Sequence, residues 1–359
     1  MTVKRKVTII IIIPIVTTML IFIGLAQIPV TTIHVSTINN HSHFFRDCVS
    51  NNPTLVNKPI TRLSMLGSHD ALSNDINYLS KPNTSEKHDF VNNPAIRIIA
   101  KGAICRLAKA QQANIYDQLV AGVRYLDVRI TNVDGLFYTS HGLISNTLEY
   151  NLNLILKFLN ENPGEFILFN INNYYGDNKS FDDLVKYIDT IKYENKSLLD
   201  YVNYSSEYSS FNELTYANVT NNGNEAGVIL FSDQNNQVAP FKQFENAKIR
   251  SNHHGIPSNA EINKRIIEEA KYCENLSSEY LIINQTQQSA SFDDLWTSIL
   301  NWSLLHQAKY HNASLLSSEE IDYIINAMPI YMCDYTTSDY DDFNNQIIEK
   351  LFQRNIKLA

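Results

Sequence analysis

Two histidines, an arginine and three aspartates stand where runs of β-forming residues end. Residues 60–66 lead into Gly67-Ser68-His69-Asp70, and the run 123–130 carries Asp127 and Arg129. The run 136–140 leads into His141-Gly142, and 330–332 into Cys333-Asp334. Displacement at phosphorus asks for such a set: a base for the attacking hydroxyl, an acid for the leaving oxygen, and positive charge at the non-bridging oxygens. Histidine titrates near neutrality and suits both proton transfers. Arginine presents a fixed fork of donors that matches a phosphate. A carboxylate beside the base histidine would fix its tautomer and stabilise the imidazolium. A lone strand-end histidine is more often structural, and Arg129 alone could be half of an ion pair. Four such coincidences at one end of different strands outweigh that reading.

The elements that must position these groups alternate. Strand-like runs fall at 60–66, 123–130, 136–140, 166–171, 227–231, 280–283 and 330–332. Helical patterns fall between them, at 95–110, 148–159, 181–191, 260–272, 291–305 and 318–327. In the second of these, Leu148, Leu152, Ile155, Leu156 and Leu159 lie on one face. Asn162-Pro163-Gly164 follows as a stop. Strands alternating with helices predict a mostly parallel sheet. Seven or so units over roughly 300 residues predict a single, distorted TIM-like (β/α) barrel of α/β class, with catalytic groups at the C-terminal strand ends. No Gly-rich nucleotide loop is present. Residues 73–115 form a long insertion after the first strand.

Four blocks carry a family resemblance. ITRLSMLGSHDALS resembles the first catalytic block of phosphatidylinositol-specific phospholipase C X-domain proteins, and QLVAGVRYLDVRI the second. FYTSHGLISNTLEYNLNLILKFLNENPGEFILFNI is similar to the third, and MPIYMCDY to the terminal strand. They occur in family order, with a loose match over 172–329. The resemblance implies a metal-independent phosphodiesterase acting on phosphatidylinositol or a related phospholipid headgroup. His69 would deprotonate the inositol 2-hydroxyl, which attacks phosphorus within the same molecule. Arg129 would stabilise the phosphoryl oxygens, and His141 would protonate the diacylglycerol oxygen. Asp334 would orient His69, Asp70 would assist the acid, and Asp127 would position Arg129. The products would be diacylglycerol and a cyclic inositol phosphate. No cofactor or metal is expected, because Arg129 stands in the block where calcium-dependent relatives place acidic ligands.

The headgroup pocket departs from the family. Asn172-Asn173 stand where bacterial relatives carry a lysine, and Phe231-Ser232-Asp233-Gln234 lacks a basic residue. Asn172, Asn284 and Gln285 are candidate substrate-binding residues, with Gln287 nearby. His253 and His254 read as loop residues, with lining of the pocket the lesser alternative. Tyr174, Tyr175, Trp296 and Trp302 could touch lipid, although core packing is the simpler expectation for the tryptophans. Two other readings compete: a metal-dependent glycerophosphodiester-type phosphodiesterase, and a catalytically silent surface module that binds lipid or glycan.

Bulk properties bound the partners. A net charge of -8 with only short basic clusters excludes a nucleic-acid binder. At 44% hydrophobic and 18% charged residues, the chain can bury a large core. Lys4-Arg5-Lys6 (the basic flank, 1–6) precedes an uncharged apolar run over 7–30, long enough for a membrane-crossing helix or a signal peptide. The rest would lie on the extracytoplasmic side, anchored to the cell membrane or secreted after cleavage. Residues 31–57 read as a linker and 58–359 as one catalytic barrel, expected as a monomer at a phospholipid surface. Cys48, Cys105, Cys273 and Cys333 show no metal-ligand spacing and read as small buried hydrophobes. The Asn-x-Ser/Thr triplets at Asn83, Asn178 and Asn195 read as composition.

Overall fold

The computed structural model describes residues 3–29, 38–87, 89–176, 180–232, 234, 238–244, 246–255, 259–289, 300–338 and 342–359, without the side chains of 3–13, 89–90 and 259–260. Nine strands form one curled sheet: β1 (Met65–Ser68), β2 (Val123–Val133), β3 (Leu136–His141), β4 (Leu143–Thr147), β5 (Phe166–Tyr175), β6 (Gly227–Phe231), β7 (Ile249–Ser251), β8 (Leu281–Gln285) and β9 (Ile330–Cys333). Its path runs β4-β3-β2-β1-β9-β8-β7, while β5 pairs with β2 and β6. Among the described residues no ladder joins β6 to β7, so the expected barrel is a half-barrel curl open between them.

Most of the sheet is parallel, as the alternation predicts, but β2, β3 and β4 are antiparallel neighbours. The cause is local. Asp134 and Gly135, the two residues between β2 and β3, have φ of 52° and 84°, the left-handed pair that a tight hairpin requires. A strand returned by two residues can only run backwards. Between most of the other strands helices return the chain. The helix Leu148–Glu161 buries Leu148, Leu152, Ile155, Leu156 and Leu159, and Thr147 caps it by accepting from the Tyr150 amide. The expected strand at 60–66 is displaced: Ile60–Arg62 is a 3-10 turn and β1 starts at Met65. The stretch expected as a linker carries the helix Phe44–Asn51, whose Phe44, Phe45 and Cys48 belong to the core. The expected helix over 291–305 lies mostly outside the described residues. All four cysteines are buried and unbridged.

The N-terminal apolar run does form a helix, Val3–Ala26. Among the described residues, however, no helix is long and apolar enough to cross a membrane, so the expected span over 7–30 is without structural support. The described end of this helix docks on the body instead. Ala26 is buried, Gln27 Nε2 donates to the Ile98 carbonyl at 2.7 Å, and Arg106 Nη1 donates to the Ile28 carbonyl. Gly102 permits that approach, since a Cβ there would lie 2.3 Å from the Gln27 backbone.

Candidate active site

Strand register brings the candidate residues together. In β1, Ser68 stands beside Leu126 of β2 on one side and Cys333 of β9 on the other. One residue further, His69 meets Asp127 and Asp334, and its amide donates to the Cys333 carbonyl at 3.1 Å. Gly67 allows the strands to close up, because a Cβ there would be 3.1 Å from Met332 Cβ. β1 leaves the edge of β2 at Leu126, and β3 takes up pairing from Ile130. His141, the last residue of β3, therefore comes back down toward His69 along β2. The hairpin, and not a parallel strand end, delivers the second histidine.

The two imidazoles are 5.7 Å apart between centroids and nearly perpendicular, at 81°. His69 Nδ1 lies 2.7 Å from Asp334 Oδ1, so Nδ1–H donates to the carboxylate. His141 Nδ1 lies 2.9 Å from the Ala108 carbonyl, which can only accept. Both rings thus hold a hydrogen on Nδ1 and present Nε2 to the same oxygen. Asp70 Oδ2 is 3.1 Å from His69 Nε2 and 3.3 Å from His141 Nε2. Asp70 Oδ1 pairs with Arg129 Nε at 2.8 Å. Asp70 has a φ of 42°, a left-handed backbone that aspartate tolerates better than most residues.

Electrostatics separates the two rings. Burial favours neutral His69, but the carboxylates of Asp70, Asp334 and Asp127 outweigh it and raise the ring to about 9. Burial also favours neutral His141; there the nearby Arg129 and His69 charges reinforce it against Asp70, and the ring stays below its ordinary value. Asp70 is buried, yet Arg129, His141 and His69 together hold it below the usual carboxylate range.

Asp70 contacts both histidines and Arg129, a wider role than assisting the acid. Asp127 does not hold Arg129 by a direct ion pair: its Oδ1 accepts from Asn172 Nδ2 at 2.8 Å and its Oδ2 from the Asp70 amide at 3.3 Å. A bulge explains this. Val128 pairs with Ile171 and Arg129 with Asn173, leaving Asn172 as the extra residue, turned toward Asp127. Asn284 and Gln285 sit at the end of β8, and among the described residues neither bonds to the histidines or Arg129. Asn284 is buried with both amide atoms unpartnered, while Gln285 Nε2 donates to Ser251 Oγ at 2.6 Å. Exposed His253 feels the charges of His69, Asp334 and Arg129, whereas His254 is buried. Tyr174 is core, with its ring 5.3 Å from that of Phe181. Trp302 is buried, while Trp296 and Asp233 lie outside the described residues.

Glu86 is the site residue that sequence reasoning missed. Its Oε1 is 3.3 Å from Arg129 Nη1 and accepts from Tyr175 OH at 3.4 Å, and its Oε2 accepts from the Gly142 amide at 2.6 Å. It links Arg129 to the turn after His141. No motif spacing marked it. The sole cue was a carboxylate in the insertion between catalytic blocks. His69, Asp70 and Asp127 also offer donor atoms within 4.8 Å of one another, a group compatible with a cation.

No family model matches the chain. The PI-PLC X domain-containing protein 3 of Danio rerio is 32% identical over 155 residues, covering 41% of this chain and 48% of that protein. Its Homo sapiens counterpart is 33% identical over 124 residues, covering 33% and 38%. The match thus spans less than half the length of these relatives. In fold, the phosphatidylinositol-specific phospholipase C of Listeria monocytogenes superposes with a TM-score of 0.56 at 19% identity, covering 87% of this chain and 98% of that one. A Staphylococcus aureus phosphatidylinositol-specific phospholipase C variant gives 0.58 at 15%, with the same coverage. Relatives in sequence and neighbours in fold together support the family that the four blocks resemble, the PI-PLC X-domain proteins.

Proposed function

We propose that the chain is a phospholipase C-type phosphodiesterase that cleaves phosphatidylinositol, or a closely related headgroup, by intramolecular attack. The observation that carries this reading is the pair of imidazoles sharing Asp70 Oδ2, with Arg129 on the same carboxylate. His69 Nε2 takes the proton of the inositol 2-hydroxyl as its oxygen bonds to phosphorus. The bond from phosphorus to the diacylglycerol oxygen breaks, and that oxygen receives a proton from His141 Nε2. Arg129, half-buried against Asp70 and Glu86, is the cation for the non-bridging oxygens.

Hydrolysis of a panel of phospholipid vesicles, with and without chelator and with the product scored, tests the proposal. Phosphatidylinositol should yield a cyclic phosphate without added metal, and His69→Ala should lower the rate by about 100–10,000-fold. Unchanged activity in His69→Ala would overturn it. The donor group of His69, Asp70 and Asp127 favours a second reading, metal-dependent cleavage of a glycerophosphodiester. Chelator-abolished turnover with a non-cyclic product would select that alternative.

A further inference from the structure

At the end of the strands opposite His69, the starts of β8 and β9 and the turn before β1 line an open cleft of about 390 Å³. Two arginines stand on its wall. Arg62 closes the 3-10 turn Ile60–Arg62, and Arg354 lies in the last turn of the helix Phe343–Ile356. Arg354 Nη1 donates to the Arg62 carbonyl, which ties the helix to the turn. That bond accounts for one of five guanidinium N–H groups. The buried Nε has no partner, and among the described residues no carboxylate pairs with either arginine. Burial, and then the like charge of Arg62, pull Arg354 down to about 10. A half-buried guanidinium whose buried Nε has no partner, set beside a second positive charge, lacks a counter-anion, an arrangement that costs stability unless something supplies the negative charge.

The rest of the lining is mixed, with Leu276, Ile282, Ala327 and Pro329 beside polar groups. Ser277 and Tyr280 offer hydroxyls, while the Glu274 carboxylate accepts from Tyr323 OH at 2.9 Å and forms no ion pair with the arginines. We propose that this cleft is a second anion site, distinct from the His69 site, which takes a small phosphate-bearing solute. The guanidinium fork meets the phosphate oxygens, and the space beyond admits a short polyol whose hydroxyls reach Glu274 and Tyr280.

Calorimetric titration tests this on the full chain carrying Arg129→Met, so that the active-site cation cannot contribute. Inorganic phosphate and glycerol 3-phosphate are the probes, against chloride at matched ionic strength. One equivalent of phosphate should bind, and tighter binding of glycerol 3-phosphate would identify a phosphorylated polyol over free phosphate as the natural occupant. Adding Arg62→Met should weaken phosphate binding by roughly tenfold or more. Arg62 is exposed, so its loss leaves the fold intact, which a thermal melt verifies. No heat with phosphate in the Arg129→Met protein, or equal affinity after Arg62→Met, would overturn the proposal.

Discussion

Asp334→Asn removes a charge from the site while keeping its shape. The wild-type contact is short and buried, with 2.7 Å between Asp334 Oδ1 and His69 Nδ1. The rise of His69 from 6.5 to about 9 amounts to roughly 3 kcal/mol of preference for the imidazolium. That preference survives burial, which opposes it, and is shared by Asp70, Asp334 and Asp127 in that order. Taking away the middle one should lower the ring by about one pH unit or more. In the free enzyme the base must be neutral and the acid protonated, so kcat/KM against pH should be a bell. Its alkaline limb belongs to His69 near 9 and its acid limb to His141 below 6.5. The Asn variant should move the alkaline limb toward neutrality, leave the acid limb nearly in place, and lose about 100-fold or more at the maximum. The assay is initial-rate hydrolysis of phosphatidylinositol in mixed micelles from about pH 5 to 10. An alkaline limb that stays near 9, or an acid limb that moves in its place, would refute the assignment of His69.

Glu86→Gln keeps the Gly142 contact but removes the charge facing Arg129; kcat/KM on the lipid should fall by about tenfold to a hundredfold, the worth of one charged hydrogen bond. At the other end of β2, Arg124 and Glu165 are both fully buried and paired at 2.7 Å, so Arg124→Met should cost about 3–5 kcal/mol in urea unfolding by stranding the carboxylate. Stability should also depend on pH through His69. Its folded value is raised, so its contribution is complete below about 6.5 and is lost as pH rises through about 9, a drop of roughly 3 kcal/mol that His69→Ala should abolish. Asp70 has the opposite sign: its folded value is depressed, so its contribution holds above 3.8 and is lost as acid protonates it.

Much of this site was legible because strand ends are legible. His69 and Asp334 each follow a run of β-formers, Asp127 and Arg129 lie within one, and parallel register then makes neighbours of them. The strand before His141 closes a hairpin within the mostly parallel sheet, and Asp134-Gly135 between two apolar runs carried that signal. The helix Phe343–Ile356 was equally readable, since Phe343, Ile347, Ile348 and Leu351 lie on one face and are buried. Other features had no local signature. Glu86 reaches Arg129 from an insertion whose path depends on tertiary contacts, such as the Asn83 amide on the Gly142 carbonyl. The partnership of Asn172 with Asp127 depends on a bulge, which shifts register by one residue and leaves composition unchanged.

The resting site holds its proton on the ring that the proposed reaction needs neutral. Asp334 and the Ala108 carbonyl fix hydrogen on both Nδ1 atoms, so only the two Nε2 atoms titrate, and both face Asp70 Oδ2. One buried carboxylate oxygen stabilises an imidazolium on either side, but two imidazoliums beside Arg129 repel each other. The second proton is therefore excluded, and His69, with two further carboxylates near it, wins the first. An anionic diester drawn to Arg129 changes that balance. Its charge favours imidazolium at His141, and repulsion between the rings then releases the proton from His69. The positions that must exchange it lie 3.1 and 3.3 Å from the same oxygen. On this reading Asp70 is the group that couples arrival of the phosphate to formation of the base.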